Sequence, residues 1–256
     1  MFQLKAVFKF IAFLIVCVVI CIPQIFVLWS KNQKLICFLP RLWHKAVCCI
    51  FGIKVSIKGD MPPTDKLILF VSNHLSYLDI PVIGQYLRAY FVAKDDVSDW
   101  PFFGFLTRLQ KTIFIKRTIR GLKKAGEDIK QHLEDNKSLV VFPEGTSSRG
   151  ESVLPFKSSL FDALEDNSLK KQVILQPFTV RIIKVNGKTP AKEDPIRDYY
   201  AWHGDMALLP HLWEFAKSKG AHIELSFHSP IHPDLSDGRK TLSQAAFRSV
   251  EAGLAG

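Results

Sequence analysis

The sequence predicts an α/β fold class: a layered α/β domain with a largely parallel, mixed sheet, preceded by an N-terminal membrane-anchoring helical segment. Three observations predict it. From Lys66 onward, apolar runs of strand length alternate with segments of helix length. Two of those runs, ending at Ser72 and Phe142, stop at polar turns that carry His, Asp and Glu. Open parallel sheets place their chemistry at such strand carboxyl ends. Finally, the chain begins with an apolar stretch that is uncharged from Phe10 to Ile22.

Taken in order, Phe8 to Trp29 forms a helix about 33 Å long at ~1.5 Å per residue, enough for a hydrocarbon core of ~30 Å. Pro23 leaves a hairpin or re-entrant dip open. The charged start, Lys5 and Lys9, also suits a cleaved leader, but no small-x-small cleavage site follows the run. Leu35 to Val55 holds Arg41, His44 and Lys45 and reads as an amphipathic interfacial helix with Trp43 at headgroup level; the competing reading is the first core helix of the domain. The expected division is therefore an anchor with its interfacial helix over 1–55 and a globular domain over 56–256. Strands are expected at Leu67–Ser72, Tyr90–Lys94, Thr112–Lys116, Leu139–Phe142, Val173–Val180 and His222–His228. Helices are expected at Ile80–Leu87, Trp100–Leu109, Ile119–Glu134, Ser158–Leu164, Met206–Lys217 and Arg239–Ala252. Gly187 to Asp198, with Pro190 and Pro195, reads as a long surface loop.

Composition removes several classes of chemistry. All five cysteines (Cys17, Cys21, Cys37, Cys48, Cys49) precede Lys54, so the globular part offers no thiol nucleophile, disulfide or cysteine zinc site. The formal charge of +10 points to phosphate-bearing partners. The apolar start favours a membrane over nucleic acid, for which the chain carries no zinc-finger spacing, RNP-like motif or basic heptad helix. His203, His211 and His222 are not spaced as a metal site, and the dinucleotide fingerprint and P-loop are missing, so neither metal nor bound cofactor is expected.

Asn73-His74-Leu75-Ser76-Tyr77-Leu78-Asp79 follows the first strand of the domain. A histidine near its working pKa can take a proton, and a carboxylate can hold its tautomer. On one continuous helix, residues five apart point ~140° away from each other. His74 is therefore expected in the turn and Asp79 at the helix start, where it also suits an ordinary N-cap. Phe142-Pro143-Glu144-Gly145-Thr146 follows a second apolar run, and Gly145 lets backbone N–H groups approach an anion. Ile113-Phe114-Ile115-Lys116-Arg117 ends a strand in two cations, and Leu154-Pro155-Phe156-Lys157 brings another.

The ordered set resembles the glycerolipid acyltransferase family, specifically 1-acylglycerol-3-phosphate O-acyltransferases. Asn73, His74 and Asp79 match its Asn-His-x4-Asp block; Phe114, Ile115 and Arg117 match Phe-Ile-x-Arg; Phe142 to Thr146 match Phe-Pro-Glu-Gly-Thr; Leu175-Gln176-Pro177 resembles a later hydrophobic-x-Pro block. The resemblance covers about Lys54 to Ile231 and makes 56–256 the acyltransferase domain. It implies that His74 is the general base for a lysolipid hydroxyl, that Asp79 orients it, and that the donor is acyl-CoA or acyl carrier protein. It implies an acceptor site drawn from Asn73, Ser76, Lys116, Arg117, Glu144, Gly145, Thr146 and Lys157. Arg117 would pair with phosphate and Glu144 with a hydroxyl or a cation. The expected reaction turns lysophosphatidic acid into phosphatidic acid at the inner membrane, on its cytoplasmic side. Many members carry Arg directly after the Thr of the Glu-Gly-Thr block. Here that place is Ser147, and the nearest arginine is Arg149, which leaves room for an acceptor such as lyso-ornithine lipid. A non-catalytic protein holding anionic membranes is the remaining alternative.

Overall fold

Period-two alternation in short apolar runs sets the layers of the molecule. The computed structural model describes residues 2–30, 33–63, 65–100, 102–115 and 119–255. In chain order its elements are α1 (Phe2–Trp29), α2 (Gln33–Phe51), β1 (Ile53–Lys58), β2 (Leu67–Val71), α3 (Asp79–Gly84), β3 (Tyr90–Lys94), α4 (Phe103–Leu109), β4 (Ile113–Ile115), α5 (Ile119–Glu134), β5 (Leu139–Val141), α6 (Asn167–Gln172), β6 (Val173–Val185), α7 (Leu208–Lys217), β7 (Ala221–Phe227) and α8 (Arg239–Ala255). Shorter 3-10 turns occupy Asp95–Asp99, Ser158–Glu165 and Pro195–Tyr199. The strands form one sheet in the order β1-β7-β6-β2-β5-β3-β4. All neighbours are parallel except β6 and β7. On β2, Ile68 and Phe70 join a cluster with α1, α2, α3 and α7. Leu69 and Val71 point the other way, into a cluster with α5, α6 and α8. The mostly parallel α/β sheet with helices on both faces is the architecture the sequence predicts.

The differences have local causes. Strand β1 lies inside and just beyond the segment read as an interfacial helix; α2 stops at Phe51, and Gly52 (φ 75°) turns the chain into an edge strand beside β7. Strand β6 continues five residues past Val180, because Ile182 and Val185 are buried in the core and Arg181 pairs with Glu224 across β7 at 3.1 Å. The expected long loop therefore starts as a tight turn at Asn186-Gly187, and its second half coils into a 3-10 turn. Ser158–Glu165 is 3-10 rather than α. The unexpected α6 starts because the Asp166 carboxylate accepts from the Ser168 and Leu169 amides.

Helix α1 runs unbroken through Pro23 for about 42 Å and is long and apolar enough to cross a membrane. One stripe of it (Ala6, Lys9, Phe13, Cys17, Ile20 and Gln24) is buried against the protein, at spacings of three and four. The Lys9 ammonium donates to the carbonyls of Phe51 and Ser218, both at 3.3 Å, and so caps the carboxyl ends of α2 and α7. Pro40 has no N–H to offer the Ile36 carbonyl one turn back. The Gln24 amide fills that gap at 3.2 Å and reaches the Leu109 carbonyl as well. The opposite side of α1, including Phe8, Val19, Phe26 and Trp29, is exposed.

Candidate active site

Strands β2 and β5 are neighbours, yet the chain leaves them toward opposite faces, β2 into α3 and β5 toward the Ser158–Glu165 turn. Open α/β sheets bind ligands in the crevice that such a divergence opens at the strand carboxyl ends. The His74 turn and the Glu144 turn meet there. The Ser148 amide donates to the His74 carbonyl at 2.9 Å, and the His74 ring stacks on Phe142 with centroids 4.1 Å apart.

Asp79 is the first residue of α3 and is fully buried. It is not an N-cap: Leu78 holds that position without a side-chain bond, and the Asp79 carboxylate turns back over the preceding turn. Its Oδ2 accepts from the Leu75 amide (2.7 Å), the Ser76 amide (3.0 Å) and His74 Nδ1 (2.8 Å). A carboxylate can only accept, so the histidine proton sits on Nδ1. Nε2 is then left with its lone pair on a half-buried ring. A base oriented in this way is what removal of a hydroxyl proton requires.

Glu144 is 4% exposed, and both its oxygens are used inside the protein. Oε2 accepts from the His74 amide at 3.3 Å and Oε1 from the Leu154 amide at 3.0 Å. Burial pushes its carboxyl up to about 8, against the pull of those two N–H groups, and the Asp79 charge adds to the rise. Gly145 has φ +69°, and the Lys157 side chain lies so close over its Cα that a Cβ there would strike the lysine. Lys157 and Thr146 are exposed at the mouth of the crevice.

The structure thus brings together His74, Asp79, Glu144, Gly145, Thr146 and Lys157, and it gives three of the residues expected to bind substrate partners within the protein. Asn73 is buried, its amide donating to the Val180 carbonyl (2.9 Å) and accepting from the Val180 N–H (2.8 Å), so it ties the turn to β6. Ser76 is also buried, and its hydroxyl accepts from the Leu78 amide at 3.3 Å within the turn. Glu144 has no free oxygen for a headgroup and instead fastens the two turns. Lys116 and Arg117 lie outside the described residues, just past the end of β4. Ser147, in the place of the family's arginine, is buried, and Arg149 is held by Asp198 through Nε (2.8 Å) and Nη2 (3.0 Å) and by Glu151 at 3.2 Å.

One residue that the sequence reading missed completes the dyad. The Tyr200 hydroxyl donates to Asp79 Oδ1 at 2.9 Å from a fully buried ring. Its neighbours brace the same turn. The Trp202 amide donates to the Leu75 carbonyl at 2.9 Å, and buried Arg197 holds the carbonyls of Arg149 and Gly150, each at 3.0 Å. The signal was the run Tyr199-Tyr200-Ala201-Trp202-His203, since so many aromatics beside a loop call for a buried surface.

Comparison with known proteins agrees with this architecture. The model of the family described as Acyltransferase matches residues 53–181, which include both turns. The chain is 38% identical to the lyso-ornithine lipid O-acyltransferase of Rhodobacter capsulatus, over 80% of this chain and 71% of that one. It is 24% identical to the 1-acyl-sn-glycerol-3-phosphate acyltransferase of Neisseria gonorrhoeae, over 88% and 82%. The crystal structure of the 1-acyl-sn-glycerophosphate acyltransferase PlsC from Thermotoga maritima shares the fold, with a TM-score of 0.70 at 22% identity over 100% of this chain and 97% of that one. With a matched family model that spans both halves of the crevice, the chain belongs to the acyltransferase family.

Proposed function

We propose that the protein is a membrane-bound lysolipid O-acyltransferase whose acceptor is lyso-ornithine lipid. His74 Nε2 removes the proton from the acceptor's free hydroxyl. The oxygen attacks the thioester carbonyl of acyl-CoA or acyl carrier protein, and the departing thiolate takes the proton back from His74. Asp79 holds the ring and balances the imidazolium charge that forms. This is the logic of a serine triad with the substrate's hydroxyl in place of serine, so no acyl-enzyme forms. The donor carries the activated acyl group, so the reaction needs no bound cofactor or metal.

The observation that carries the acceptor reading is the charge beside Gly145. The position after Thr146 holds neutral, buried Ser147, and Arg149 is spent on Asp198 and Glu151. A zwitterionic amino-acid headgroup does not require that cation, whereas a phosphate monoester does. The relative at 38% identity, named for lyso-ornithine lipid, supports the same choice. Lysophosphatidic acid is the second reading, favoured by exposed Lys157 over the Gly145 turn and by the Neisseria relative. Purified protein given acyl-CoA and an equal panel of lyso-ornithine lipid, lysophosphatidic acid and lysophosphatidylcholine decides between them. Faster turnover of lysophosphatidic acid overturns the acceptor reading. In the same assay His74→Ala should cut turnover by about 10²–10⁴-fold, and an unchanged rate removes the general-base role.

The exposed apolar side of α1 supports attachment to lipid. The buried stripe of α1 runs from Ala6 to Gln24, and Phe10 stacks on Trp213 of α7 at 5.7 Å. A membrane-crossing α1 would drag α7 and its Glu214–Lys217 pair into hydrocarbon. The hairpin of α1 and α2 therefore rests in one leaflet, and the domain faces the cytoplasm, where acyl thioesters are made. Protection of the globular domain from protease added to intact inverted vesicles would contradict this placement.

A further inference from the structure

A second cleft, open to solvent, lies between α2 and the connection from α3 to β3. Arg41, His44, Arg88, Tyr90 and Gln110 line it. The catalytic Asp79 begins α3, and the cleft opens at Gly84, where α3 ends, so this is a different place from the crevice described above.

Its charge is unbalanced. Among the described residues neither Arg41 nor Arg88 forms an ion pair. Arg41 Nη2 makes one long bond, 3.4 Å to the Gln85 carbonyl, while its buried Nε and the buried Nδ1 of His44 have no hydrogen-bond partner. Burial, and after it the charge of Arg88, work against the Arg41 cation. Burial also takes His44 down to about 3, so it adds a hydrogen-bonding nitrogen without charge. Two guanidinium groups sharing a cleft are suited to a phosphate, which accepts their parallel N–H groups.

The surroundings decide the source of that phosphate. Leu35, Phe38 and Leu42 stand exposed on α2 beside Arg41, at helical spacing, where acyl chains could lie. We infer that this cleft is a noncatalytic binding site for the headgroup phosphate of an anionic phospholipid, gripped by Arg41 and Arg88. The inference rests on the reading that the chain sits on a membrane.

Co-sedimentation with phosphatidylglycerol and phosphatidylcholine vesicles tests it, using Arg41→Lys/Arg88→Lys, which keeps the charge but loses the guanidinium forks. Wild type should prefer phosphatidylglycerol, and the double variant should bind it about tenfold more weakly, as loss of bidentate geometry predicts. Lys188→Gln/Lys192→Gln, which removes two exposed charges far along the chain, should bind like wild type. Equal binding by wild type and the double lysine variant overturns the site and leaves only diffuse attraction. Displacement by millimolar inorganic phosphate, or equal binding to phosphatidylcholine, overturns the anionic lipid as ligand. If the double variant melts early, exposed Arg88→Lys alone carries the test. Wild type that binds neither vesicle refutes the membrane reading itself.

Discussion

Replacing Tyr200 by Phe removes one oxygen and little else. The ring keeps its edge-on packing with Phe215 at 6.2 Å. What disappears is the hydrogen bond to Asp79 Oδ1, the one donor on that oxygen among the described residues. A bond to a charged group contributes about 1.5–3 kcal/mol, and leaving the buried oxygen unsatisfied costs a similar amount. Felt wholly in the transition state, that range is roughly 10- to 150-fold in rate, at 1.36 kcal/mol per tenfold. Three donors still hold Oδ2, so the carboxylate keeps part of its orientation. The expected loss in kcat is therefore near the low end, about tenfold, with KM unchanged because Tyr200 is fully buried. The assay is steady-state acyl transfer by Tyr200→Phe, by Asp79→Asn and by the double variant. In the Asp79→Asn background, Tyr200→Phe should cost nothing further, since its partner charge is gone. A tenfold drop that persists in that background, or full kcat with only a lower melting temperature, would show that Tyr200 serves packing alone and refute the reasoning.

Other outcomes follow from contacts already described. Glu144 is held protonated in the fold by burial but ionises when unfolded, so the stability it contributes is present at low pH and drains away as pH climbs toward about 8. Wild type should therefore lose stability relative to Glu144→Gln between pH 5 and 8, on the order of a few kcal/mol; parallel urea curves across that range contradict it. Ser147→Arg should raise the kcat/KM ratio for lysophosphatidic acid over lyso-ornithine lipid by about tenfold, as one added charge-assisted bond predicts; an unmoved ratio excludes this position as the acceptor determinant. Lys9→Met should destabilise the protein by about 1–2 kcal/mol through loss of the cap on two helix ends, read from denaturation midpoints in detergent, and an unchanged midpoint removes that role.

The dyad was legible because His74 and Asp79 share one local turn, where chain order and chemistry coincide. Strands β2 and β5 were legible for a related reason, since each is a short apolar run buried on both faces. What stayed hidden depends on partners far along the chain. Tyr200 reaches Asp79 across 121 positions, and no local pattern marks a tyrosine for that purpose. Asn73 and Glu144 were placed on the turns they occupy, but the backbone partners that the structure gives them were not foreseen. Sequence shows that a polar side chain stands near an active site, but not that backbone groups such as those of Val180, His74 and Leu154 have already claimed it. Strand β1 was hidden because its first residues fall inside the segment read as an interfacial helix, while Lys54 and Lys58 take the outward positions of an edge strand.

Lys9 and Gln24 fasten the apolar helix to the rest of the protein near its two ends. A helix held at one end can swivel; one held at both cannot. In the leaflet placement proposed above, the body therefore floats at a fixed draught, and the height of His74 above the lipid is set by the fold rather than by thermal rocking. Selection among acceptors then becomes a matter of depth as well as charge. A lysolipid whose hydroxyl lies a few bonds deeper or shallower in the leaflet should react more slowly, even when its headgroup is accepted, and turnover measured across acceptors that differ only in the distance from headgroup to hydroxyl should peak at one distance and fall on either side of it.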